Sequence, residues 1–236
     1  MQHPREWTLT ITTDPHQNCP VHFAGAPLKQ ARLVVLAAHG RYGVSSDILK
    51  LAEQVNVPNV AWIAPQADGR SWWGETFLAP LAMNEPGLSS ALKRFSEITN
   101  DLAQSGFGPE QIVLVGFSQG ACLVLEHVAR DPKLWRGIVA MSGGLLGTSE
   151  SNESPRESLN GHVPKHFDYS GSLSGIPIHL GCHIDDPVIP ISRVRKSKTV
   201  LEDIGATVTL CEERGSMHGV ISDDIAATRC FLERSE

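Results

Sequence analysis

Short apolar runs rich in β-branched residues alternate along the chain with longer segments in which apolar residues recur at helical spacing. This alternation is typical of a mostly parallel β-sheet flanked by helices, because each buried strand needs a crossover that returns the chain to the same edge. The runs that we interpret as strands lie at 7–13, 32–38, 59–64, 111–115, 137–142, 176–182 and 207–211. The chain is therefore predicted to belong to the α/β class.

The segments between and after these runs carry the helical pattern, and the predicted helices lie at 45–55, 88–105, 118–130, 191–204 and 220–234. A hydroxyl of Ser45 or Ser46 would cap the first helix, and Gly106 would end the second. A stretch at 68–86 that is rich in Trp, Gly and Pro is predicted to be a long loop. The polar stretch at 147–175 is predicted to be a surface excursion or a partial lid.

The length and charge of the chain limit its organisation and its partners. A chain of 236 residues is in the range in which one α/β domain buries a full core. We predict a single domain over residues 1–236, with a minimal cap domain or none. The net charge of −6 provides no basic surface for nucleic acid, so we expect no nucleic-acid partner.

The five cysteines are widely spaced, odd in number and contain no C-x-x-C pair. This pattern indicates neither a disulfide framework nor a thiolate zinc site. The first residues lack the layout of a signal peptide, and no apolar run approaches the roughly 20 residues that span a bilayer. We expect a cytoplasmic protein without a membrane span, a metal or a cofactor, and the sequence leaves open a monomer or a homodimer.

The strongest motif is G-x-S-x-G at residues 116–120, which lies between a predicted strand and a predicted helix. A serine at such a turn is held in a strained conformation that exposes its hydroxyl above the carboxyl edge of the sheet. Side chains at Gly116 and Gly120 would collide with neighbouring backbone, and the helix N-terminus favours negative charge that develops beside the serine. Ser118 is therefore the predicted nucleophile.

A serine hydroxyl needs a base that takes its proton and a carboxylate that orients the base. Of the ten histidines, His183 and His218 follow late strands at loop positions. His218 comes after the last strand and before the final helix, where the chain order nucleophile, acid, histidine places the base. We favour His218, because His183 as the base would leave the last loop without a role.

The carboxylate is expected after the strand at 176–182, where Asp185 and Asp186 are neighbours. Asp186 precedes the run P-V-I-P, whose prolines fix a rigid turn. We favour Asp186 as the acid for this reason. Asp185 is the alternative, and otherwise a solvated loop residue.

An oxyanion that forms on the attacked carbonyl needs preorganised donors. One predicted donor is the backbone N–H of Gln119, the residue after the nucleophile. The other is expected in the sharp turn at 39–43, where position favours the N–H of Arg41. His39 in the same turn is predicted to be a structural residue that bonds the loop.

Tyr42 and four apolar residues of the loop at 68–86 are candidates for the substrate pocket, namely Trp72, Trp73, Phe77 and Leu78. Aromatic side chains offer a large apolar area with a polar edge, which suits a cleft. An equally open interpretation is that these side chains anchor the loop to the sheet.

Four motifs together resemble the phospholipase/carboxylesterase family of α/β-hydrolases: H-G-x-x-G at 39–43, G-F-S-Q-G at 116–120, D-P-x-I-P at 186–190 and M-H-G at 217–219. This family includes acyl-protein thioesterases and small bacterial carboxylesterases, and the resemblance extends from about residue 32 to the C-terminus. It implies an α/β-hydrolase fold and a triad of Ser118, Asp186 and His218. It also implies oxyanion donors at Arg41 and Gln119.

These residues predict a carboxylic ester hydrolase that works through an acyl-enzyme intermediate without a cofactor. The aromatic loop predicts a compact pocket, and hence a small-molecule ester with a short to medium acyl chain as the substrate. One alternative is the same machinery acting on acyl thioesters or lysophospholipids. Another is a non-catalytic protein of the same fold that only binds a small molecule, against which the complete set of serine, histidine and aspartate argues.

Overall fold

Seven strands form one sheet in the part of the chain described by the computed structural model, residues 14–147 and 154–234. The strands are β1 (Val21–Gly25), β2 (Leu33–Ala38), β3 (Val60–Pro65), β4 (Ile112–Phe117), β5 (Gly137–Met141), β6 (Pro177–His183) and β7 (Thr207–Glu213). Their order across the sheet is β1-β3-β2-β4-β5-β6-β7. All neighbours run parallel except β1 and β3, which are antiparallel.

Helices cover both faces of this sheet. In the described ranges they are α1 (Ser45–Leu49), α2 (Leu51–Val55), α3 (Gly87–Gln104), α4 (Gln119–Arg130), α5 (Ile191–Asp203) and α6 (Ser222–Glu233). Helices α3, α4 and α5 pack on one face, and α1, α2 and α6 pack on the other. The predicted mostly parallel sheet with flanking helices is therefore confirmed.

Strand β2 illustrates why the inner strands were recognisable from apolar runs. Val34 and Leu36 belong to the core beneath α3 and α4, whereas Val35 and Ala37 belong to the core on the α1 side. Successive side chains of a strand point to opposite faces, so a strand covered on both faces must be apolar throughout. The six runs predicted between residues 32 and 211 correspond to β2–β7 with shifts of a few residues at their ends.

The edge strand β1 was not predicted, because its exposed positions include polar residues and break the apolar pattern. His22 is exposed, and so is its apolar neighbour Phe23, at 62%. The strand predicted at 7–13 lies outside the described residues. The edge of the sheet that the structure describes is instead β1, which pairs along its whole length with β3.

The helix predicted at 45–55 is two short helices, interrupted at Lys50. The Lys50 N–H bonds to the Asp47 carbonyl at 3.2 Å, and the Glu53 N–H bonds to the Lys50 carbonyl at 3.3 Å. These bonds span three residues, which tightens the turn and breaks the α-helical ladder. The predicted serine cap was wrong, because Ser45 is already the first helical residue and its Oγ is engaged with His22 Nδ1 at 2.6 Å.

The two irregular stretches lie where they were predicted. The loop at 68–86 contains only short 3₁₀ turns, and the described part of the polar stretch, 154–175, contains one such turn at Glu157–Leu159. Leu159 and Leu173 of that stretch are nevertheless buried, so it is partly anchored to the protein. No helix in the described ranges combines the length and apolarity that crossing a membrane requires.

Candidate active site

Ser118 occupies the single residue between the end of β4 and the start of α4. Its backbone has φ 54° and ψ −119°, a conformation that costs a non-glycine residue roughly 1–3 kcal/mol. The surrounding structure holds it there: the Ser118 N–H donates to the Met141 carbonyl at 2.9 Å, and the Cys122 N–H donates to the Ser118 carbonyl at 3.1 Å. The strained turn presents the Ser118 hydroxyl at the carboxyl edge of the sheet.

The two glycines of the motif permit close contact of β4, α4 and β2. A Cβ atom on Gly116 would lie 2.3 Å from the Gly120 carbonyl oxygen. A Cβ atom on Gly120 would lie 2.2 Å from the carbonyl oxygen of Ala38, the last residue of β2. Both distances are far below van der Waals contact, so these positions require glycine.

The Gly120→Ala substitution is expected to destabilise the fold by about 3 kcal/mol or more, because backbone must move to accept the new methyl group. Urea unfolding followed by circular dichroism measures this loss. Gly74→Ala is the control, since nothing lies within 4 Å of a Cβ atom there, and a change of at most about 0.5 kcal/mol is expected. Equal losses in the two variants would contradict the steric explanation.

His218 links the serine to a carboxylate. Its Nε2 lies 2.8 Å from Ser118 Oγ, and its Nδ1 lies 2.9 Å from Asp186 Oδ2. A carboxylate at Nδ1 requires the proton on that nitrogen, so Nε2 is free to accept from the serine hydroxyl. The Phe117 ring lies 5.2 Å from the imidazole, centroid to centroid, and supports its position. This arrangement can transfer the proton of Ser118 to His218 when the serine attacks.

Asp186 is anchored through its other oxygen. Its Oδ1 accepts hydrogen bonds from the N–H groups of Val188 at 2.8 Å and Ile189 at 2.9 Å. Burial raises the pKa of this carboxyl, but the hydrogen bonds from His218, Ile189 and Val188 outweigh it and hold the pKa below its usual value. Asp186 is therefore ionised near neutral pH, as a partner for an imidazolium must be.

The structure does not bring the alternative residues to Ser118. Asp185 is exposed, and its backbone N–H bonds to the Gly215 carbonyl at 3.0 Å. His183 is buried at the end of β6, with its Nε2 4.0 Å from Glu213 Oε1. Neither side chain takes part in the hydrogen-bonded chain that ends at Ser118.

Two side chains that the sequence did not indicate hold the loop after β7. Ser142 is buried with φ 49°, and its Oγ donates to the carbonyl of Gly219, the residue after His218, at 2.8 Å. Asp224 is fully buried, accepts from the Ile221 N–H at 2.8 Å and lies 2.8 Å from His179 Nε2. The position of Ser142 directly after β5, at the edge that carries Ser118, is the one signal that could have identified it.

The two residues predicted as oxyanion donors, Arg41 and Gln119, line the cavity beside Ser118, and their side chains also hold the loop at 72–75. The Gln119 N–H is in the first turn of α4, where backbone donors have no partner within the helix. The Gln119 side-chain amide accepts from the Trp72 N–H at 2.9 Å and donates to the Trp73 carbonyl at 2.9 Å. The guanidinium of Arg41 donates to carbonyls of the same loop, those of Trp73 at 3.0 Å, Gly74 at 2.6 Å and Glu75.

The His39 side chain forms hydrogen bonds that hold the turn in which Arg41 lies. Its Nδ1 lies 2.8 Å from the Gly40 carbonyl, and its Nε2 accepts from the Ala67 N–H at 3.1 Å. The accepting Nε2 identifies the neutral tautomer with the proton on Nδ1. Burial lowers the pKa of His39, which favours the same neutral form.

A cavity of about 200 Å³ adjoins Ser118. Its lining includes Arg41, Trp73, Phe77, Val188 and Ile189, besides Ser118 itself. Two of the five predicted pocket residues, Trp73 and Phe77, are therefore at this cavity.

The other three predicted pocket residues lie elsewhere. Trp72 is fully buried, and its indole N–H donates to the His39 carbonyl at 2.8 Å, which anchors the loop to the end of β2. Leu78 is packed in the core beneath α3 and α4. Tyr42 is 69% exposed and is not among the residues that line the cavity. Within the described ranges, no group of three or more His, Cys, Asp or Glu side chains is arranged to hold a metal.

A mostly parallel sheet between helices, with a serine at a strand-to-helix turn and a histidine and an aspartate on later loops, defines the α/β-hydrolase class. The family model described as phospholipase/carboxylesterase matches residues 22–235. The chain therefore belongs to the phospholipase/carboxylesterase family.

Individual proteins of known structure and sequence resemble the chain over different lengths. A phospholipase/carboxylesterase from Dyadobacter fermentans is 32% identical, with a TM-score of 0.79 over 92% of this chain and 97% of that one. The Bacillus cereus carboxylesterase is 19% identical with a TM-score of 0.67 over 96% and 99% of the two chains, which shows the shared fold. Acyl-protein thioesterase 1 of Saccharomyces cerevisiae is 27% identical over 65% of this chain, and the match spans only 62% of the yeast protein.

Proposed function

We propose that this protein is a serine hydrolase that cleaves carboxylic esters with short to medium acyl chains. The observation that carries the proposal is the hydrogen-bonded chain from Asp186 through His218 to Ser118 Oγ, at the edge of a mostly apolar cavity. The membership of the chain in the phospholipase/carboxylesterase family supports the same reaction class. Ser118 is the proposed nucleophile, His218 the general base and Asp186 the group that orients the imidazole.

In the first half of the reaction, Ser118 Oγ attacks the ester carbonyl and its proton passes to His218 Nε2. The resulting imidazolium is stabilised by ionised Asp186 and then protonates the leaving alcohol, which leaves an acyl group on Ser118. In the second half, His218 takes a proton from water, the hydroxide attacks the acyl carbon, and the carboxylic acid leaves as Ser118 recovers its proton. No oxidant, metal or cofactor is needed to balance these steps.

The oxyanion of each tetrahedral intermediate is proposed to accept from the N–H groups of Gln119 and Arg41. The Gln119 N–H belongs to the first turn of α4, where the helix dipole also favours negative charge. The side chains of both residues are tied to the loop at 73–75, so the two backbone donors are held without reorganisation. Preorganised donors lower the activation free energy of acyl transfer, and each donor stabilises the transition state by about 3–4 kcal/mol.

The cavity supports the proposed preference for short and medium acyl chains. Phe77 is only 7% exposed and, with Trp73 and Ile189, limits the apolar space beside Ser118 to about 200 Å³. A rigid wall of this kind blocks the extension of an acyl chain past Phe77, because displacement of a closely packed aromatic side chain costs free energy. Arg41 lines the same space.

The proposal is tested with purified protein and a series of p-nitrophenyl esters, from acetate and butyrate through octanoate to palmitate. We expect kcat/KM to be highest for the shorter esters and to fall steeply for palmitate. An acyl thioester series of the same chain lengths separates the ester hydrolase from the thioesterase that the yeast relative suggests. Turnover that is confined to long-chain thioesters would contradict the proposed substrate class.

The Phe77→Ala substitution is expected to raise kcat/KM for octanoate relative to butyrate by at least about tenfold, because the space for even one further methylene contributes roughly 1–3 kcal/mol. The ratio of the two specificity constants is the measurement, since it cancels any loss of folded protein. Phe107→Ala is the matched control, a buried phenylalanine that is absent from the cavity lining. An unchanged ratio in Phe77→Ala would show that Phe77 does not limit the acyl chain.

A further inference from the structure

A second cavity, of about 360 Å³, lies beside the first turn of α5 and shares no lining residue with the cavity at Ser118. Its lining carries the basic side chains of Lys165, Arg193 and Lys196, together with those of Arg156 and His166, which interact with other groups. None of the residues that line it in the described part of the chain is acidic. A concave surface with a single sign of charge concentrates ions of the opposite sign.

Arg193 is the unusual member of this lining, because its side chain is only 1% exposed. Its Nη1 donates to the carbonyls of Leu145 at 3.0 Å and Gly147 at 2.6 Å, whereas its buried Nη2 has no hydrogen-bond partner. Burial lowers the pKa of Arg193 to about 10, so the guanidinium still carries its charge near neutral pH. A buried charged donor without an acceptor is costly, and a ligand that supplied the acceptor would remove that cost.

Glu126 is a buried carboxylate that interacts electrostatically with Arg193, but its oxygens already accept hydrogen bonds from other groups. Glu126 is fully buried, and its Oε1 accepts from the Leu146 N–H and from Tyr169 Oη, each at 2.7 Å. Its Oε2 accepts from Arg130 Nε, also at 2.7 Å. Glu126 is therefore hydrogen-bonded to Arg130 and acts on Arg193 only through space, so Arg193 Nη2, whose guanidinium lies 5.5 Å from the Phe167 ring centroid, keeps no hydrogen-bond acceptor.

The other walls of the cavity add positive charge and one apolar ring. Lys165 Nζ donates to the Leu146 carbonyl at 2.5 Å and lies 4.8 Å from the centroid of the Phe167 ring. Lys196 is exposed on α5 at the rim of the cavity. The first turn of the 13-residue helix α5 adds its positive end. Phe167 provides an apolar surface between these charges.

We propose that this cavity binds a small phosphate ester, with the phosphate oxygens accepting from Arg193 Nη2 and pairing with Lys165 and Lys196. Three basic side chains around one site match a dianionic phosphate better than a monoanionic carboxylate. The cavity is larger than a single phosphate group, so the remaining space and the Phe167 ring accommodate the organic part of the ligand. The site is distinct from the proposed catalytic centre and does not depend on the reaction assigned there.

Isothermal titration of inorganic phosphate into the full chain, near neutral pH and at constant ionic strength, tests this site. Saturable one-site binding is expected, with acetate binding at least about tenfold more weakly. Lys196→Gln is expected to raise the Kd for phosphate by about tenfold, because it removes one charge-assisted contact without disturbing a buried group. Lys198→Gln on the same helix is the control and should leave the Kd unchanged, since Lys198 pairs with Glu202 instead.

Two further variants keep the test decisive. Arg193→Met should abolish phosphate binding, but this variant also loses the hydrogen bonds to the carbonyls of Leu145 and Gly147. If Arg193→Met does not fold, the Kd of Lys196→Gln for phosphate decides the test. Arg41→Gln should bind phosphate as the unmodified chain does, which separates the site from the cavity at Ser118. The absence of saturable binding, equal Kd values for phosphate and acetate, or an unchanged Kd in Lys196→Gln would each overturn the proposal.

Discussion

Replacing Ser118 with alanine is expected to lower kcat for ester hydrolysis by about four to six orders of magnitude. The methyl group cannot attack the carbonyl, and water must then act without a covalent intermediate. The oxyanion donors and the cavity remain in this variant, so KM is expected to change little and a small residual rate is expected to persist. Steady-state kinetics on p-nitrophenyl butyrate measures both constants.

The Ser174→Ala variant is the matched control, because it removes an exposed serine hydroxyl away from the cavity. Its kcat should remain within about twofold of that of the unmodified chain. A fluorophosphonate probe provides a second readout: it should attach to the unmodified chain with loss of fluoride and fail to attach to Ser118→Ala. Retention of most of the turnover by Ser118→Ala would refute the proposed mechanism, and a folded chain that hydrolyses no ester and resists the probe would favour a binding protein.

The Asp186→Asn variant is expected to lose about four orders of magnitude in kcat with little change in the fold. The N–H groups of Val188 and Ile189 both donate to Oδ1, so they would hold the amide oxygen of the asparagine at that position. The amide NH₂ would then face His218 Nδ1, which must accept from it. The imidazole proton would move to Nε2, and His218 could no longer take the proton of Ser118.

Asp185→Asn is the control for this prediction, and it decides between the two aspartates that the sequence offered. Its side chain is exposed, and a change in kcat of at most about twofold is expected. Urea unfolding of both variants checks that they fold. A larger loss of kcat in Asp185→Asn than in Asp186→Asn would reverse the assignment of the acid.

The buried strands and the class of fold followed from the sequence because burial on two faces leaves a continuous apolar run. The helix α4 and the turn before it followed from the glycines at 116 and 120, whose spacing is a requirement of close backbone contact. Strand β1 could not be recognised in the same way. It is held by pairing with β3 at the edge, and a half-exposed edge strand needs no particular pattern.

The residues that line the cavity at Ser118 could not be predicted from the local sequence pattern. Trp72 and Trp73 are neighbours in the sequence, yet Trp72 packs under the turn at His39 and Trp73 lines the cavity. Which ring faces the cavity depends on the hydrogen bonds of the Gln119 amide to the loop. Those bonds join residues almost fifty positions apart, and the sequence alone does not reveal them.

The sequence by itself determined the class of fold and the order in which a serine, an aspartate and a histidine follow successive strands. It did so because strand burial and tight turns impose their requirements on neighbouring residues. Only the tertiary structure decided which aspartate reaches the histidine, which aromatic rings border the cavity and where a buried arginine lacks an acceptor. Each of these depends on distances between segments far apart in the chain, which are set by the packing of the whole sheet with its helices.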